Sequence, residues 1–262
     1  MKAFLTKSIW LILALLPAAP AVLAADIIPL YVYYQDPLFA AGGPQSLTDK
    51  LAVWLTQRAN GRYQFVPTQI PRRRLQLMIR QPHWHGVVAW ANPRWFEETG
   101  QPRQNWSRPY MIDANMVASL RSAPVEYEDD QSLQGLRIGS VQGYHYKDSA
   151  ELLRDDADSE ARTLLKLRQR RVPVAFLQAS SFPFFRQQFP DLDDWIHLSA
   201  KPRTIFERAF FTAPDQPELL AYLNQQVDAL LADRPWQELM GTCKLVKPRL
   251  AAATDAQRKL CR

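Results

Sequence analysis

A glycine turn in the middle of the chain is the first place where residue types and spacing suggest chemistry. Residues 134–146 read QGLRIGSVQGYHY, an apolar segment that runs into glycine. A turn between a strand and a helix presents free backbone N–H groups at the positive end of the helix dipole. Gln142, Gly143 and Tyr144 occupy this turn and are expected to hold a carboxylate or another anion. The spacing is G-x-x-x-G, so a dinucleotide site is a weaker interpretation, and a purely structural turn is a third.

Guanidinium groups and aromatic rings elsewhere could complete an anion site. Arginine forms paired hydrogen bonds with a carboxylate, and an aromatic ring at the end of a strand can stack on a ligand. The alternatives are a solvated surface position for each arginine and core packing for each ring. The candidates are Arg74, Asn92, Arg94 and Arg103 for the carboxylate, and Tyr33, Tyr34 and Trp90 for stacking.

Catalysis and metal binding have weaker support in the sequence. Asp36, Glu97 and His145 are candidate general acids, but none has a second catalytic group at a spacing that the sequence reveals. His83 and His85 would share one side of a strand, yet no third metal ligand is visible. Neither G-x-S-x-G nor H-E-x-x-H occurs. No catalytic residue, metal or cofactor is therefore predicted.

The first 24 residues have the pattern of a secretory signal peptide. Lys2 and Lys7 precede an apolar run, and Val22-Leu23-Ala24 fits a cleavage site. The run is shorter than the roughly 20 apolar residues that span a bilayer. Cleavage would lower the net charge from +6 to +4 by removing the two lysines. With no basic stripe, nucleic acid is not an expected partner. We expect an exported protein that does not insert into the membrane after cleavage.

Two cysteines, Cys243 and Cys261, lie near the C-terminus. In an oxidising compartment an isolated pair is most simply a disulfide, and two unpaired thiols are the alternative. The pair lacks the C-x-x-C spacing of a zinc site.

The order of the predicted elements is that of a two-part α/β protein. Up to Trp90 the mature chain alternates strand, helix, strand, helix and strand, which is typical of a parallel sheet with crossover helices. A second alternation begins with a strand over 136–141, followed by a helix over 144–154 and another after Ser159. Residues 217–231 form a predicted amphipathic helix. Two such units in an exported protein predict two lobes around a cleft.

Four stretches, in this order, resemble extracellular solute-binding proteins of the polar amino-acid-binding family. Residues 71–86 resemble the family's P-x-x-R helix and glycine turn, and 106–110 its F-S-x-P-Y segment. Residues 135–146 resemble the start of the second lobe, and 203–240 the return strand and final helices. The resemblance covers nearly all of the mature chain. It implies the type II periplasmic binding protein fold, an α/β fold whose two lobes each hold a small, mostly parallel sheet flanked by helices.

The resemblance also implies lobe boundaries and a function. After a signal peptide at 1–24, lobe 1 is expected at 25–117 and 202–262, lobe 2 at 118–201, with a two-segment hinge that closes on a ligand. The resemblance implies a periplasmic monomer. Its expected function is capture of a small anionic or carboxylate-bearing solute for an ABC-type membrane permease, without catalysis. A sensing module that docks on a membrane sensor and a dehydratase-like enzyme are the alternatives.

Gln178 is the departure from the family that matters most for the ligand. The family often has Asp at this place, where it meets the ammonium group of an amino acid. A neutral amide would leave that buried charge uncompensated. If the alignment shifts, Ser180 or Ser181 takes the place, and neither is acidic. His85 and Pro173 also stand where the family often has Asp. The sequence therefore favours a carboxylate ligand without an α-ammonium group.

Overall fold

The computed structural model describes residues 24–99, 105–144, 152–240, 246–247 and 254–260. The predicted signal peptide lies outside these residues except for Ala24, as do Arg103, His145 and both cysteines of the predicted disulfide. The side chain of Glu97 is likewise outside the description. Within the described ranges, no helix is long and apolar enough to span a bilayer.

The described strands form one nine-stranded sheet. They are β1 (Asp26–Val32), β2 (Tyr63–Gln69), β3 (Val87–Ala91), β4 (Met111–Leu120), β5 (Arg137–Val141), β6 (Leu153–Ala157), β7 (Val174–Gln178), β8 (Ile196–Leu198) and β9 (Thr204–Thr212). Their order is β2-β1-β3-β9-β4-β7-β5-β6, and β8 pairs with β4. Parallel pairs lie at the two ends of this order, while β9 and β4 in the middle are antiparallel to their neighbours.

Helices pack against each half of the sheet: α1 on β1 and β2, α3 on β5, β6 and β7, and α6 on β9. The helices are α1 (Leu47–Arg58), α2 (Arg72–Met78), α3 (Glu160–Arg168), α4 (Phe182–Gln188), α5 (Leu192–Trp195), α6 (Pro217–Ala232), α7 (Arg234–Met240) and α8 (Asp255–Lys259). Short 3-10 turns cover 93–99, 130–133 and 179–181.

Local sequence accounts for the start of α1. The Ser46 hydroxyl accepts the backbone N–H of Asp49 at 3.0 Å, as an N-cap residue should. The Asp49 carboxylate does not complete a capping box, because it accepts the backbone N–H of Gly42 at 3.0 Å. Leu47, Leu51 and Leu55 recur at helical spacing and are all buried.

Strand β6 lies where the sequence analysis predicts the end of a helix. Residues 145–151 of that predicted helix are outside the description, but Leu153–Ala157 pairs in parallel with β5. The strand lacks apolar alternation because it is at the edge of the sheet and carries charges. Arg154 pairs with Asp156 at 2.8 Å, and Lys166 with Asp155 at 2.5 Å.

Two main cores lie along the sheet, and the chain passes from one to the other within β4 and β9. Met111 and Phe210 belong to the first core, while Ile112 belongs to the second, against which Ile205 packs. Strand β4 pairs with β9 in its first half and with β7 in its second. Strand β9 pairs with β4 over 204–208 and then with β3. These two strands therefore join the two halves.

A buried ion pair holds β4 and β9 together at this junction. Arg208 on β9 and Asp113 on β4 have side chains that are 0% exposed. Arg208 Nη2 and Nε lie 2.6 and 3.0 Å from Asp113 Oδ2. Ser180 adds its hydroxyl at 2.7 Å and its backbone N–H at 3.1 Å to the same carboxylate. A buried pair is tolerated when further hydrogen bonds compensate its lost hydration, as they do here.

Replacement of Asp113 by Asn should strongly destabilise the protein, because Arg208 would remain buried without a counter-ion. The expected loss is about 3–5 kcal/mol in the free energy of unfolding. The control is Asp228→Asn, which removes the exposed pair with Arg108 and should change stability little. Denaturant unfolding measures both, and equal losses would contradict the anchoring role of the buried pair.

Gly86 allows the chain to enter β3 close to β1, and its replacement tests that contact. Its φ is +119°, and an added Cβ would lie 2.6 Å from the Pro29 carbonyl oxygen. Gly61 also has a positive φ, +80°, but nothing lies within 4 Å of its added Cβ. Gly86→Ala should therefore cost about 1–3 kcal/mol more unfolding free energy than Gly61→Ala, through overpacking. A matching loss in both variants, measured by denaturant unfolding, would refute the close approach.

Candidate functional site

A small cavity lies among the residues that follow β1, the start of α2, the glycine turn after β5 and the end of β7. Its volume is about 30 Å³, enough for one or two water molecules. It is lined by Tyr33, Tyr34, Arg72, Trp95, Asn115, Gly143, Tyr144 and Gln178.

A larger pocket adjoins this cavity and shares part of its wall. The pocket has a volume of about 320 Å³, within the range of small-molecule sites. Four residues line both spaces: Tyr33, Arg72, Gly143 and Tyr144. The pocket adds Gln35, Asp36, Pro71, Val141, Gln142 and Asp158. We refer to the cavity and the pocket together as the cleft.

Arg72 brings a guanidinium with unused donors into the cleft. The group stacks 3.9 Å from the ring centre of Phe96 and 4.6 Å from that of Tyr33. Its Nη2 donates to the carbonyl oxygen of Trp95. Nε and Nη1 are buried and have no hydrogen-bond partner among the described residues. Buried donors without partners are costly, so a ligand that accepts from both nitrogens would be stabilised here.

The glycine turn after β5 forms a wall of the cleft. Gly143 has a φ of +80°, and the backbone N–H of Tyr144 donates to the Val141 carbonyl at 3.2 Å. The N–H of Gln142 donates to the Ala157 carbonyl at 2.8 Å. Two of the three N–H groups expected to hold an anion are therefore already used. The turn's backbone therefore offers fewer donors than its sequence predicts, and Arg72 adds two unpartnered side-chain donors in the described part of the cleft.

Gln178 connects the cleft wall to the buried ion pair. Its amide oxygen accepts Arg208 Nη2 at 2.7 Å, and its own N–H donates to Glu160 Oε2 at 3.0 Å. Arg208 Nη1 also donates to the carbonyl of Trp90 at 2.8 Å and to the hydroxyl of Tyr34 at 2.5 Å. Burial alone would lower the pKa of Arg208, but the neighbouring Tyr34 and Asp113 raise it. The guanidinium stays charged and fixes the cleft wall.

The structure brings together part of the predicted site. Tyr33, Tyr34, Gln142, Gly143, Tyr144 and Gln178 line the cleft. The other four predicted residues do not line it. Trp90 is fully buried in the first core, and Arg74 is exposed on α2. The Asn92 amide donates to the Glu207 carbonyl at 2.7 Å and accepts the backbone N–H of Arg94 at 2.9 Å.

Sequence reasoning missed Arg72, Trp95 and Asn115 in the cleft. For Arg72 a local signal exists, because Pro71 caps α2 and Arg72 is its first residue. Arg74 is two residues further on and so about 200° around the helix. Only one of the two can face the strand ends. The missed network of Asp113, Arg208 and Glu160 has no local signal, since its members are far apart in the chain.

No family model matches the sequence, and no curated protein matches it. Solved structures do match. A P235GK mutant of ArgBP from T. maritima superposes with a TM-score of 0.62 and 12% identity, covering 82% of this chain and 93% of that one. A substrate-binding protein of an amino acid ABC transporter gives 0.61 and 12%, over 82% and 97%. The B. pertussis BvgS periplasmic domain gives 0.65 and 15%, over 86% of this chain and 43% of that longer chain.

Similarity at such low identity shows the fold alone, and the superpositions cover 82% to 86% of this chain. The chain therefore has the α/β, two-lobed type II periplasmic binding protein fold, which confirms the fold class predicted from its sequence.

Proposed function

We propose that this chain is a periplasmic solute-binding protein that captures a small carboxylate-bearing solute in the cleft and catalyses no reaction. The structures it resembles include ArgBP and the substrate-binding protein of an amino acid ABC transporter. Both are binding proteins, which supports binding as the role of the shared fold. The residues that line the cleft indicate which chemical groups the ligand carries.

The unused donors of Arg72 carry this proposal. Nε and Nη1 are buried and unpartnered among the described residues, next to a pocket of about 320 Å³. Nε and Nη1 point to different edges of the planar guanidinium, so a carboxylate would accept a charge-assisted hydrogen bond from one of them, and a second acceptor of the solute would use the other. The rings of Phe96 and Tyr33 hold the group in place by stacking, so little conformational freedom is lost on binding.

The polar groups near Gln178 favour a ligand without an α-ammonium group there. The charge of Asp113 is balanced by Arg208, and the amide oxygen of Gln178 already accepts from Arg208. A second cation beside Arg208 would be repelled. Asp36 and Asp158 are the carboxylates in the adjoining pocket, and an ammonium group would have to reach one of them instead.

The remaining features of the proposal concern export and partners. We propose export through the signal peptide at 1–24, a disulfide between Cys243 and Cys261, and a membrane permease as the partner. Lobe 1 would be 25–117 with 202–262, and lobe 2 would be 118–201. The two crossings between the lobes, near Ser119-Leu120 and near Ser199-Lys201, would act as the hinge. Docking on a membrane sensor is the second candidate, supported by the likeness to the BvgS periplasmic domain.

A thermal-shift screen of residues 25–262 should find a stabilising carboxylate. The screen compares aliphatic and aromatic carboxylates with their amides, with α-amino acids, with polyamines and with sugars. A ligand at about 100 times its dissociation constant adds about 2.7 kcal/mol of stability. Acids should stabilise the protein and their neutral amides should not. A response to α-amino acids alone would contradict the expected absence of the ammonium group.

Variants of two neighbouring arginines test which guanidinium binds. Arg72→Gln should weaken the best acid by about 2–5 kcal/mol, or at least roughly 30-fold, because a buried charged partner is lost. Arg74→Gln is the matched control on the exposed side of α2 and should bind like the wild type. Isothermal titration calorimetry measures both affinities. Loss of binding in the Arg74 variant with none in the Arg72 variant would reverse the assignment.

A further inference from the structure

Two buried carboxyl groups meet where the loop after β1 reaches the start of α3. Asp36 is 2% exposed and Glu160 is 1% exposed. Asp36 follows β1 and belongs to the first half of the sheet, whereas Glu160 opens α3 on the second half. The Asp36 carboxyl faces the backbone N–H groups of Glu160 and Ala161 and the hydroxyl of Tyr144. The two carboxyls thus bridge the halves at the cleft.

The surroundings do not neutralise both groups. Asp36 Oδ1 is buried with no partner in the described part of the chain. The groups that face the Glu160 carboxyl are neutral: the N–H of Gln178, which donates to Oε2 at 3.0 Å, and the hydroxyl of Ser181. On the side of β4, Asp113 adds negative charge near Glu160, although Arg208 pairs with it.

Charged groups also line the pocket next to Asp36. Arg72 reaches the pocket from α2 and Asp158 from the loop before α3. The two have opposite charges. Arg72 stacks on Phe96 and Tyr33 and forms none of the ion pairs found among the described residues. A net negative charge therefore gathers around the two carboxyls when both are ionised.

Ionisation of both groups is unfavourable while they are buried together. Burial raises the pKa of Asp36 to about 6. Hydrogen bonds from the N–H groups at the start of α3 oppose this rise but do not cancel it. Burial, and then the charge of Asp36, raises the pKa of Glu160 well above its usual range. Two such groups titrate as a pair, and the pair retains a proton near neutral pH.

We propose that Asp36 and Glu160 form a proton-dependent latch between the two lobes. A proton shared by the pair holds the loop at 35–37 against α3, and loss of the last proton drives the loop and the helix apart. The latch needs no solute, so it is a property of the chain beyond its proposed binding function.

The direction of the pH effect follows from linkage. In the open form both carboxyls face water and have ordinary pKa values near 4. Because burial raises the pKa of each, closure takes up protons, and the closed form is favoured as pH falls. Its advantage is lost as pH rises past about 6 and then through the higher pKa of Glu160. The cleft should close at pH 5.5 and open at pH 8.5 without any ligand.

Small-angle X-ray scattering of residues 25–262 without solute tests the latch. The wild type should have a larger radius of gyration at pH 8.5 than at pH 5.5. Glu160→Gln keeps an oxygen for the Gln178 N–H and removes the acidic group, so this variant should stay compact at both pH values. Glu128→Gln makes the same change at an exposed position and should open like the wild type.

Unfolding by denaturant under the same conditions checks that the variants fold. Glu160→Gln should be more stable than the wild type at pH 8.5 and no more stable at pH 5.5, since only the ionised pair is unfavourable. Equal radii of the wild type at the two pH values would overturn the proposal, as would opening of Glu160→Gln at pH 8.5. Because no solute is present, failure of the carboxylate screen leaves this outcome unaffected, and the reverse also holds.

Discussion

The ion pair between Arg208 and Asp113 is the constraint on which the rest of the structure depends. It lies on β9 and β4, the two strands that join the cores, and both side chains are fully buried. Two ions removed from water are stable only if their other hydrogen-bonding groups are satisfied. Trp90, Tyr34 and Gln178 supply those bonds to Arg208. Meeting this electrostatic requirement also fixes the wall of the cleft.

Two arginines near the cleft differ in how many of their hydrogen-bond donors are already used within the protein. Arg208 has a carboxylate, two carbonyl-type oxygens and a hydroxyl around it, so nothing is left for a ligand. Arg72 has one carbonyl and two aromatic rings, and two of its nitrogens are unpartnered in the described structure. The first arginine stabilises the protein, and the second offers a preorganised site for an anion. This difference supports the proposal that a solute carboxylate binds at Arg72.

Sequence alone predicted the fold class because the pattern of the elements is local. Ser46 before an apolar repeat indicates the start of α1, and the alternation of strands and helices indicates the sheet. Strand β6 was missed because an edge strand with charged residues lacks that pattern. The predicted helix over 144–154 was wrong at its end, since Leu153 and Arg154 lie in that strand.

The site was harder to predict because its contacts are distant in sequence. Tyr33, Tyr34, Gly143, Tyr144 and Gln178 were identified from strand ends and a glycine turn, and they do line the cavity. No spacing rule links Asp113 to a residue 95 positions away. Trp90 lies one residue before the end of β3, which is Ala91, and its indole N–H donates to Thr48 at 2.8 Å inside the core. The choice between such packing and a ligand contact depends on tertiary structure.

A crystal structure with a stabilising carboxylate bound would decide how the solute is held. The account predicts that a carboxylate oxygen lies within hydrogen-bonding distance of Arg72 Nε or Nη1, about 2.7–2.9 Å for a charged pair. It also predicts that Arg208 keeps its bonds to Asp113 and Gln178. A carboxylate bound to Arg208, with Asp113 displaced, would contradict the account, because the anchor of the fold would then be the ligand site.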